Sequence, residues 1–286
     1  MSLQQLVQHF NDRFAFEHHA NFHPFLLEKG LVSGIFGPIR ISSVFAPVWQ
    51  TNNYEQLIGH ITQLSVMPYD HELVSEQCTE IDTLFTNVIT QPTDFQSIIN
   101  LDRLRRTVHM LNYLAYAGNG GVLFLDVDPR HILGVQQDHG AYFEEFITQC
   151  GLATKNVVIS LAVNNFYVLH HAQLVEGLNN YRQRGYQIAL NIGSLYATDG
   201  LRELIDKLAP DYLRMSALVS ETIGESNTIW QSATKTLVKL QKLNGGQTIF
   251  QQVDNAEQAN IAAIANIELV QGGYYDRLAT DHLRCL

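Results

Sequence analysis

The sequence is poor in cysteine, in positive charge and in long apolar runs, and each shortage excludes a class of protein. Its 286 residues include three cysteines, Cys78, Cys150 and Cys285, which form no CxxC pair. Such spacing is typical of reduced cytoplasmic thiols and argues against a disulfide framework or a zinc site. Lysine and arginine number 18 against 28 aspartates and glutamates, so the formal net charge is −10. An acidic chain lacks the electrostatic footprint that binds nucleic acid or an anionic membrane.

Long apolar segments are missing as well. No run approaches the ~18 to 20 residues of a membrane-spanning helix, and the first residues lack the basic and apolar regions of a signal peptide. Hydrophobic residues nevertheless make up 46% of the chain, which is enough for a sizeable core. We therefore expect a cytoplasmic globular protein with neither a membrane nor a nucleic-acid partner.

Short apolar segments alternate with amphipathic ones from Ile41 onward. Buried strands are predicted for VLFLDV, NVVISLAV, YQIALNIG, DYLRM, TIFQQ and LVQGG, with helical spacing between them. Such alternation predicts a parallel sheet covered by helices. The length and the number of repeats favour an α/β fold, a (β/α)8 TIM-like barrel over residues 41–286. Residues 1–40, rich in phenylalanine, are predicted to form an N-terminal helical extension packed on that barrel.

The carboxyl ends of the strands are where a barrel of this type carries its functional groups. The strand Thr248–Phe250 ends in Gln251 and Gln252. Barrel enzymes place carboxylates at such ends, so two amides in this position suggest an altered site.

The order of the segments resembles the EAL domain, a bacterial barrel that hydrolyses cyclic di-GMP. The resemblance covers roughly residues 41–275 and rests on a series of short matches. FAPVW is similar to the family's Tyr-Gln-Pro-Ile-Val, GHITQL to its Gly-Glu-Ala-Leu, and FLDVDP to its Asn-containing strand end. APDYLRMS resembles Asp-x-Leu-Lys-Ile-Asp, FQQVDNAEQ stands where Ala-Glu-Gly-Val-Glu-Thr is expected, and VQGGYY resembles the closing Gln-Gly-Tyr. The resemblance implies an EAL-type TIM barrel.

The positions of the family's metal-binding and catalytic groups are almost all substituted in this sequence. By the resemblance, those positions are occupied by His60, Asp126, Ser160, Asn191, Arg214, Ser216, Gln251 and Asp254. Leu64 stands at the family's dinucleotide-binding arginine. Gln271 is retained and is the remaining candidate for ligand binding.

Hydrolysis in the family is metal-ion chemistry, and Mg²⁺ or Mn²⁺ needs several anionic oxygen ligands. Here the positions that the resemblance assigns to metal ligands offer at most one carboxylate, Asp126. Arg214 stands at the family's catalytic lysine, and an arginine cannot give up its proton as that lysine can. The resemblance therefore implies a catalytically inactive EAL-like regulatory protein with no metal and no cofactor. A protein partner is the favoured ligand, and a non-hydrolysing cyclic di-GMP receptor is the alternative. A homodimer is left open.

A different chemistry is suggested by VLFLDVDPRHI. A buried strand followed by Asp-x-Asp resembles the first motif of haloacid-dehalogenase-type phosphohydrolases, in which Asp126 would be the nucleophile and Asp128 the acid or base. The residues that follow, Pro129 and Arg130, depart from that motif. This phosphohydrolase interpretation is the less favoured one.

Two further clusters have a structural and a functional interpretation. His19 and His23 in EHHANFH have the i,i+4 spacing of a pair of metal ligands on a helix, but surface or packing histidines are the more common outcome. The basic run LDRLRR, with Arg103, Arg105 and Arg106, predicts a solvated helix face, with a patch for phosphate or an acidic partner as the alternative.

Overall fold

The computed structural model describes residues 1–18, 23–69, 95–135, 139–163, 165–192, 200–220 and 227–285. The predictions for His19 and for Cys78 lie outside these residues.

Eight strands close into a barrel, so the predicted α/β TIM-like fold is confirmed. The strands of the barrel are β3 (Ile39–Gln50), β4 (Asn53–Pro68), β5 (Val122–Val127), β6 (Val157–Val163), β7 (Gln187–Ile192), β8 (Tyr212–Ser216), β9 (Gln247–Gln251) and β10 (Leu269–Val270). Strands β4 to β10 pair in chain order and are parallel to one another. Strand β3 closes the ring between β4 and β10 and is antiparallel to both.

The antiparallel strand follows from the shortness of its connection. Gln50 pairs with Asn53, so two residues join β3 to β4. A parallel crossover needs a dozen or more residues, whereas a two-residue turn can only reverse the chain. The first repeat of the barrel therefore begins with a hairpin instead of a helix.

Helices cover the outside of the barrel. They are α2 (Phe95–Tyr113), α3 (Pro129–Gly134), α4 (Ala141–Gln149), α5 (His171–Gln183), α6 (Leu201–Leu208), α7 (Asn227–Leu243), α8 (Ala256–Ile264) and α9 (Gly273–Cys285). The outward-facing residues of the strands, such as Leu125, Ile159 and Leu190, are buried against these helices in one large apolar cluster. Among the described helices, none combines the length and the apolar character that crossing a membrane requires.

The N-terminal extension begins with the expected helix, α1 (Leu3–His18), but continues as strands. These are β1 (Phe25–Glu28) and β2 (Leu31–Phe36), and β2 pairs with β3. The two-residue turn between them holds Lys29 and Gly30, both with positive φ, which suits a tight β-hairpin. The sheet therefore runs without interruption through residue 40, where the sequence predicted a boundary.

The extension packs on the barrel helices through its aromatic residues. Phe10 of α1 is 2% exposed and stacks on Phe146 of α4 with 4.3 Å between the ring centroids. Phe25 is buried as well, whereas Phe16 is exposed. Most of the described apolar surface of this segment is thus used in packing.

Strands β3 and β4 continue past the carboxyl ends of the other strands. β4 pairs with β5 through Gly59 to Ile61, yet its pairing with β3 continues to Pro68. Because Ile61 faces the barrel interior, Gln63 and Met67 lie on the same face of the strand two and six residues further on. The two strands therefore form a wall beside the mouth of the barrel.

Candidate functional site

A polar layer lies at the carboxyl ends of the strands, directly above the apolar interior of the barrel. That interior contains Val158, Ala189, Tyr212, Ile249 and other apolar residues. Because side chains alternate along a strand, the residue two positions later on each strand also points inward. On strands β5 to β10 these residues are Asp126, Ser160, Asn191, Arg214, Gln251 and Gln271.

Arg214 is the centre of this layer. Its guanidinium donates to Asp126 Oδ1 at 2.6 Å and to Ser160 Oγ at 2.6 Å. Nε and Nη2 both donate to Gln251 Oε1, at 3.2 and 3.1 Å. The side chain of Arg214 is 4% exposed. Five predicted site residues are brought together here, once Asn191 is added.

A second hydrogen bond made by Gln251 explains why an amide is present at the end of β9. Gln251 uses its oxygen for Arg214 and donates from Nε2 to Asn191 Oδ1 at 3.1 Å. A carboxylate has no proton for that second bond when ionised. The amide therefore links the guanidinium of β8 to Asn191 of β7, through an accepting oxygen and a donating nitrogen.

Asp126 remains ionised in this environment. Burial opposes its charge, but the guanidinium groups of Arg214 and Arg105, together with the hydrogen bonds from Arg214 and Ser160, lower the pKa of Asp126 below its usual value. Its side chain is 39% exposed, so one side of the carboxylate still faces the open cavity above the layer.

Two further glutamines complete the polar ends of β9 and β10. The amide oxygen of Gln252 accepts from the hydroxyl of Ser216, which itself accepts from the backbone N–H of Leu218 at 3.2 Å. Gln271 Oε1 accepts from the backbone N–H of Gln252 at 3.2 Å. Gln252 has a φ of 63°, a left-handed conformation that is unfavourable for a residue with a side chain.

The loop after β10 approaches the loop after β9 closely. A Cβ on Gly272 would lie 2.3 Å from the backbone nitrogen of Val253, so only glycine fits at this position. Asp254 Oδ1 accepts from the backbone N–H of Gly273, at 2.8 Å. Asp254 therefore holds the start of α9 and lies outside the polar layer in which the resemblance had placed it.

An open cavity of about 300 Å³ lies above the polar layer, at the mouth of the barrel. The residues that line it are Ile61, Thr62, Gln63, Leu64, Arg105, His109, Asp126, Arg214, Gln251, Gln252 and Gln271. Five of them were named from the sequence, as substituted family positions or as the retained glutamine: Leu64, Asp126, Arg214, Gln251 and Gln271. His109 was not predicted as a site residue, and Arg105 was named only in the alternative interpretation of LDRLRR as a patch for phosphate or an acidic partner. Helix α2 brings both to the mouth from outside the barrel.

The basic run on α2 is not the solvated face that its sequence suggested. Arg106 is fully buried and bonds to Asp102, with 2.5 Å between Nη2 and Oδ2. Its guanidinium lies 3.9 Å above the ring of Phe143. Arg105 is 26% exposed; it donates to Asp102 at 2.9 Å and to the backbone carbonyl of Asp126 at 2.7 Å.

His60 does not belong to the site. Its ring is 7% exposed and packs outside the barrel against Phe45, Tyr113 and Tyr116. The neighbouring residue, Ile61, is the one that faces the interior. His60 therefore lies on the outer face of β4, away from the polar layer in which the resemblance had placed it, because neighbouring side chains in a strand point to opposite faces.

The two aspartates of the phosphohydrolase interpretation are both in use. Asp126 is paired with Arg214, and Asp128 caps α3 by accepting from the backbone N–H of Arg130 at 2.8 Å. Asp128 also pairs with the guanidinium of Arg130 at 2.7 Å. Both carboxylates are thus paired with an arginine, and Asp126 keeps one side open to the cavity. His23, from the other candidate cluster, is exposed.

The fold is shared with solved EAL-domain proteins. BlrP1 from Klebsiella pneumoniae, described as a calcium and cyclic di-GMP complex, superposes with a TM-score of 0.63 at 12% identity. YkuI from Bacillus subtilis, described as having an EAL domain and as bound to substrate cyclic di-GMP and calcium, gives 0.61 at 16%. A stand-alone EAL protein from Vibrio cholerae O395, in a cyclic di-GMP-bound form, gives 0.59 at 16%.

These likenesses establish the EAL-domain fold that the motifs predicted. They cover 81%, 82% and 82% of this chain, and 54%, 54% and 90% of the three proteins in the same order. The chain therefore spans about half the length of the Klebsiella and Bacillus proteins. Neither a protein-family model nor a curated protein matches the sequence.

The residues of the polar layer do not fit a pair of divalent cations. Within the described ranges, no three carboxylate, histidine or cysteine side chains are grouped so that they could hold a metal ion. The layer offers Asp126, whose Oδ1 is bound to a guanidinium, together with a hydroxyl and neutral amides. Hard divalent cations need several anionic oxygens, and the positive charge of Arg214 already lies among the donors.

Proposed function

We propose that the protein is a non-hydrolysing regulator with the EAL-domain fold, which acts by binding a protein partner. The observation that carries the proposal is the buried guanidinium of Arg214, which is bound to Asp126 and Ser160 at 2.6 Å each. It places a fixed positive charge among the strand ends, where the resemblance expects metal ligands and a lysine. Guanidinium groups keep their proton at all accessible pH values, so Arg214 is unsuited to proton transfer.

The rim of the mouth supports a protein partner. Exposed apolar side chains are found on the loops after β6 and β8 and on the wall formed by β3 and β4. They are Leu169, Leu218, Val44 and Met67, with exposed fractions of 95%, 44%, 47% and 48%. Exposed apolar side chains that form a patch mark an interaction surface, and these four are the candidates for such a patch.

Turnover of cyclic di-GMP tests the first half of the proposal. The purified protein is incubated with cyclic di-GMP and Mn²⁺ or Mg²⁺, and the linear product is measured by chromatography. We expect the same background for the protein and for Asp126→Ala. Hydrolysis by the unchanged protein that Asp126→Ala abolishes would refute the proposal.

The rim tests the second half. Leu169→Asp puts a charge on the mouth side, and Leu243→Asp is the matched control, because Leu243 is 77% exposed and ends α7 near the opposite end of the barrel. We expect affinity capture from the native host to lose its specific protein with Leu169→Asp alone. Sedimentation of the pure protein identifies a second copy as the partner if a dimer forms and Leu169→Asp dissociates it. Equal capture and equal sedimentation for both variants would contradict binding at the mouth.

A non-hydrolysing receptor for cyclic di-GMP is the second candidate. It is favoured by the open cavity of about 300 Å³ with Arg105 in its wall, and by the cyclic di-GMP complexes of proteins with this fold. Isothermal titration with cyclic di-GMP, with and without Mg²⁺ or Ca²⁺, decides it. Heat of binding without turnover supports the receptor, and no heat leaves the protein partner as the function.

A further inference from the structure

Arg105 and His109 lie one turn apart on the same face of α2, and both line the cavity. Residues at i and i+4 on a helix have neighbouring side chains. Arg105 is fixed by its bond to the backbone carbonyl of Asp126 at 2.7 Å. The guanidinium therefore lies at the end of β5, and the imidazole lies beside it.

The hydrogen bonds behind His109 determine which ring nitrogen carries the proton. Asn112 accepts from the backbone N–H of Val32 and donates to its carbonyl, both at 2.7 Å, which fixes the orientation of the amide. Its NH₂ group then donates to Ser43 Oγ at 3.2 Å. The Ser43 hydroxyl is then placed to donate its own proton to His109 Nδ1, 2.8 Å away. On this network we assign His109 the tautomer with its proton on Nε2.

This Nε2–H group is available to a ligand. His109 is 3% exposed, and no other residue in the described ranges accepts from Nε2. The side chain nevertheless lines the cavity at the mouth, which is where a ligand would meet it. Burial, with the charge of Arg105 second, lowers the pKa of His109 to about 3, which keeps the ring neutral.

The amides of Gln252 and Gln271 also offer hydrogen-bond donors to the cavity. In each, the oxygen is occupied, by the Ser216 hydroxyl in one and by the backbone N–H of Gln252 in the other. Their NH₂ groups have no acceptor in the part of the chain that the structure describes, and both side chains line the cavity. Gln271 is 8% exposed, so it is a buried donor directed at the cavity.

The local charge is positive. Asp126 is balanced by Arg214. On α2, the single carboxylate of Asp102 serves both Arg105 and Arg106, so one guanidinium charge remains in excess. A guanidinium, an imidazole N–H and amide NH₂ groups together favour an anion.

We propose that the cavity is a metal-independent binding site for a small organic anion, whose phosphate or carboxylate group is held by Arg105, His109, Gln252 and Gln271. The exposed side of Asp126 is placed to accept from a hydroxyl or ammonium group of the same ligand. A cavity of about 300 Å³ has room for such a molecule beyond its charged group. The inference goes beyond the proposed function, since it assigns a ligand class to the mouth whether or not a protein covers it.

The test uses inorganic phosphate and acetate as separate probes on the full chain in chelator-treated buffer. The readouts are the NMR signals of the histidine ring nitrogens and the melting temperature. We expect one probe or both to shift the His109 signals with a dissociation constant in about the millimolar range, and phosphate or carboxylate as the natural group is identified by the tighter probe.

Three variants identify the site. Arg105→Gln should weaken binding at least about tenfold. His109→Phe should weaken it as well, whereas His109→Gln, which keeps a donor, should retain most of it. Arg202→Gln removes an arginine that is 83% exposed on α6 and should have no effect, which separates the site from general charge. Circular dichroism checks the fold of each variant.

The proposal is overturned if neither probe binds up to about 100 mM, if Arg105→Gln and Arg202→Gln bind equally well, or if binding requires a divalent cation. None of these measurements involves a nucleotide or a partner. A failure here is therefore distinguishable from a failure of the proposed function.

Discussion

Replacement of Arg214 by methionine, a side chain of similar volume, should destabilise the barrel. The guanidinium is 4% exposed and makes the bonds described above to Asp126, Ser160 and Gln251. Its loss leaves three acceptors without their donor, at about 1–3 kcal/mol for a fully buried one such as Ser160 Oγ and less for the half-buried Gln251. Asp126 adds less than a fully buried carboxylate would, because water reaches its 39% exposed side chain. Methionine has no charge to desolvate, so the cost of burying the guanidinium is regained. We therefore expect the free energy of unfolding to fall by about 2–4 kcal/mol in total.

A double-mutant cycle isolates the ion pair. Asp126→Asn alone leaves the guanidinium buried without its counterion, and should be destabilising by a similar amount. The double variant should therefore be more stable than the sum of the two single changes predicts, by about 1–3 kcal/mol. Urea denaturation followed by circular dichroism gives the four free energies of unfolding.

The control cycle uses Arg202→Met and Asp206→Asn. These residues form an exposed i,i+4 pair at 3.8 Å, and their coupling should stay below about 0.5 kcal/mol. Because the pKa of Asp126 is lowered in the folded protein, its contribution is present above its unfolded pKa and is lost as the pH falls through the folded one. The coupling should therefore shrink below about pH 4. Additive effects of Arg214→Met and Asp126→Asn at neutral pH would refute a polar layer built on this pair.

The remaining predictions concern His109 and the left-handed residues. The pKa of His109 is lowered from 6.5 to about 3, so the unfolded chain takes up this proton first, and stability is lost as the pH falls from 6.5 towards 3, by up to about 1.4 kcal/mol per pH unit for this ring. The buried His131, whose pKa is also lowered to about 3, contributes to the same loss. In urea denaturation series His109→Gln should therefore reduce the slope of this acid limb without removing it, and an unchanged slope would contradict the prediction. Ala209 and Gln252 have φ values of 44° and 63°, so Ala209→Gly should raise the free energy of unfolding by about 1 kcal/mol. Gln252→Gly gains the same relief but loses the Ser216 bond, and we expect little change in stability together with weaker phosphate binding; a gain equal to that of Ala209→Gly, with phosphate affinity unchanged, would show that the Gln252 side chain has no role.

The sequence located the polar layer because strand ends are readable from local pattern. Asp126, Ser160 and Arg214 each follow an apolar segment, and parallel strands bring their carboxyl ends to one edge. The sequence could not predict that a single guanidinium would bond to all of these residues, because those bonds depend on distances across the barrel.

The sequence-based errors arose where apolar and polar residues did not alternate clearly, or where residues distant in the sequence determined the structure. GHITQL offers no strong alternation, so the choice between His60 and Ile61 as the inward residue was open to a shift of one position. Residues 25–36 lack the length of a clear amphipathic helix, and pairing with β3 determined their conformation. Arg105 and His109 belong to a helix whose face towards the mouth is set by packing on β2, β3 and β5.

A manganese titration followed by electron paramagnetic resonance tests the central claim most directly, because free Mn²⁺ gives a strong six-line signal that is lost on binding. The account predicts that the protein at about 100 μM leaves the signal of added Mn²⁺ unchanged, since Arg214 already supplies the positive charge of the polar layer. Uptake of one or two Mn²⁺ ions per chain, abolished by Asp126→Ala, would contradict it and would return the barrel to metal-dependent chemistry.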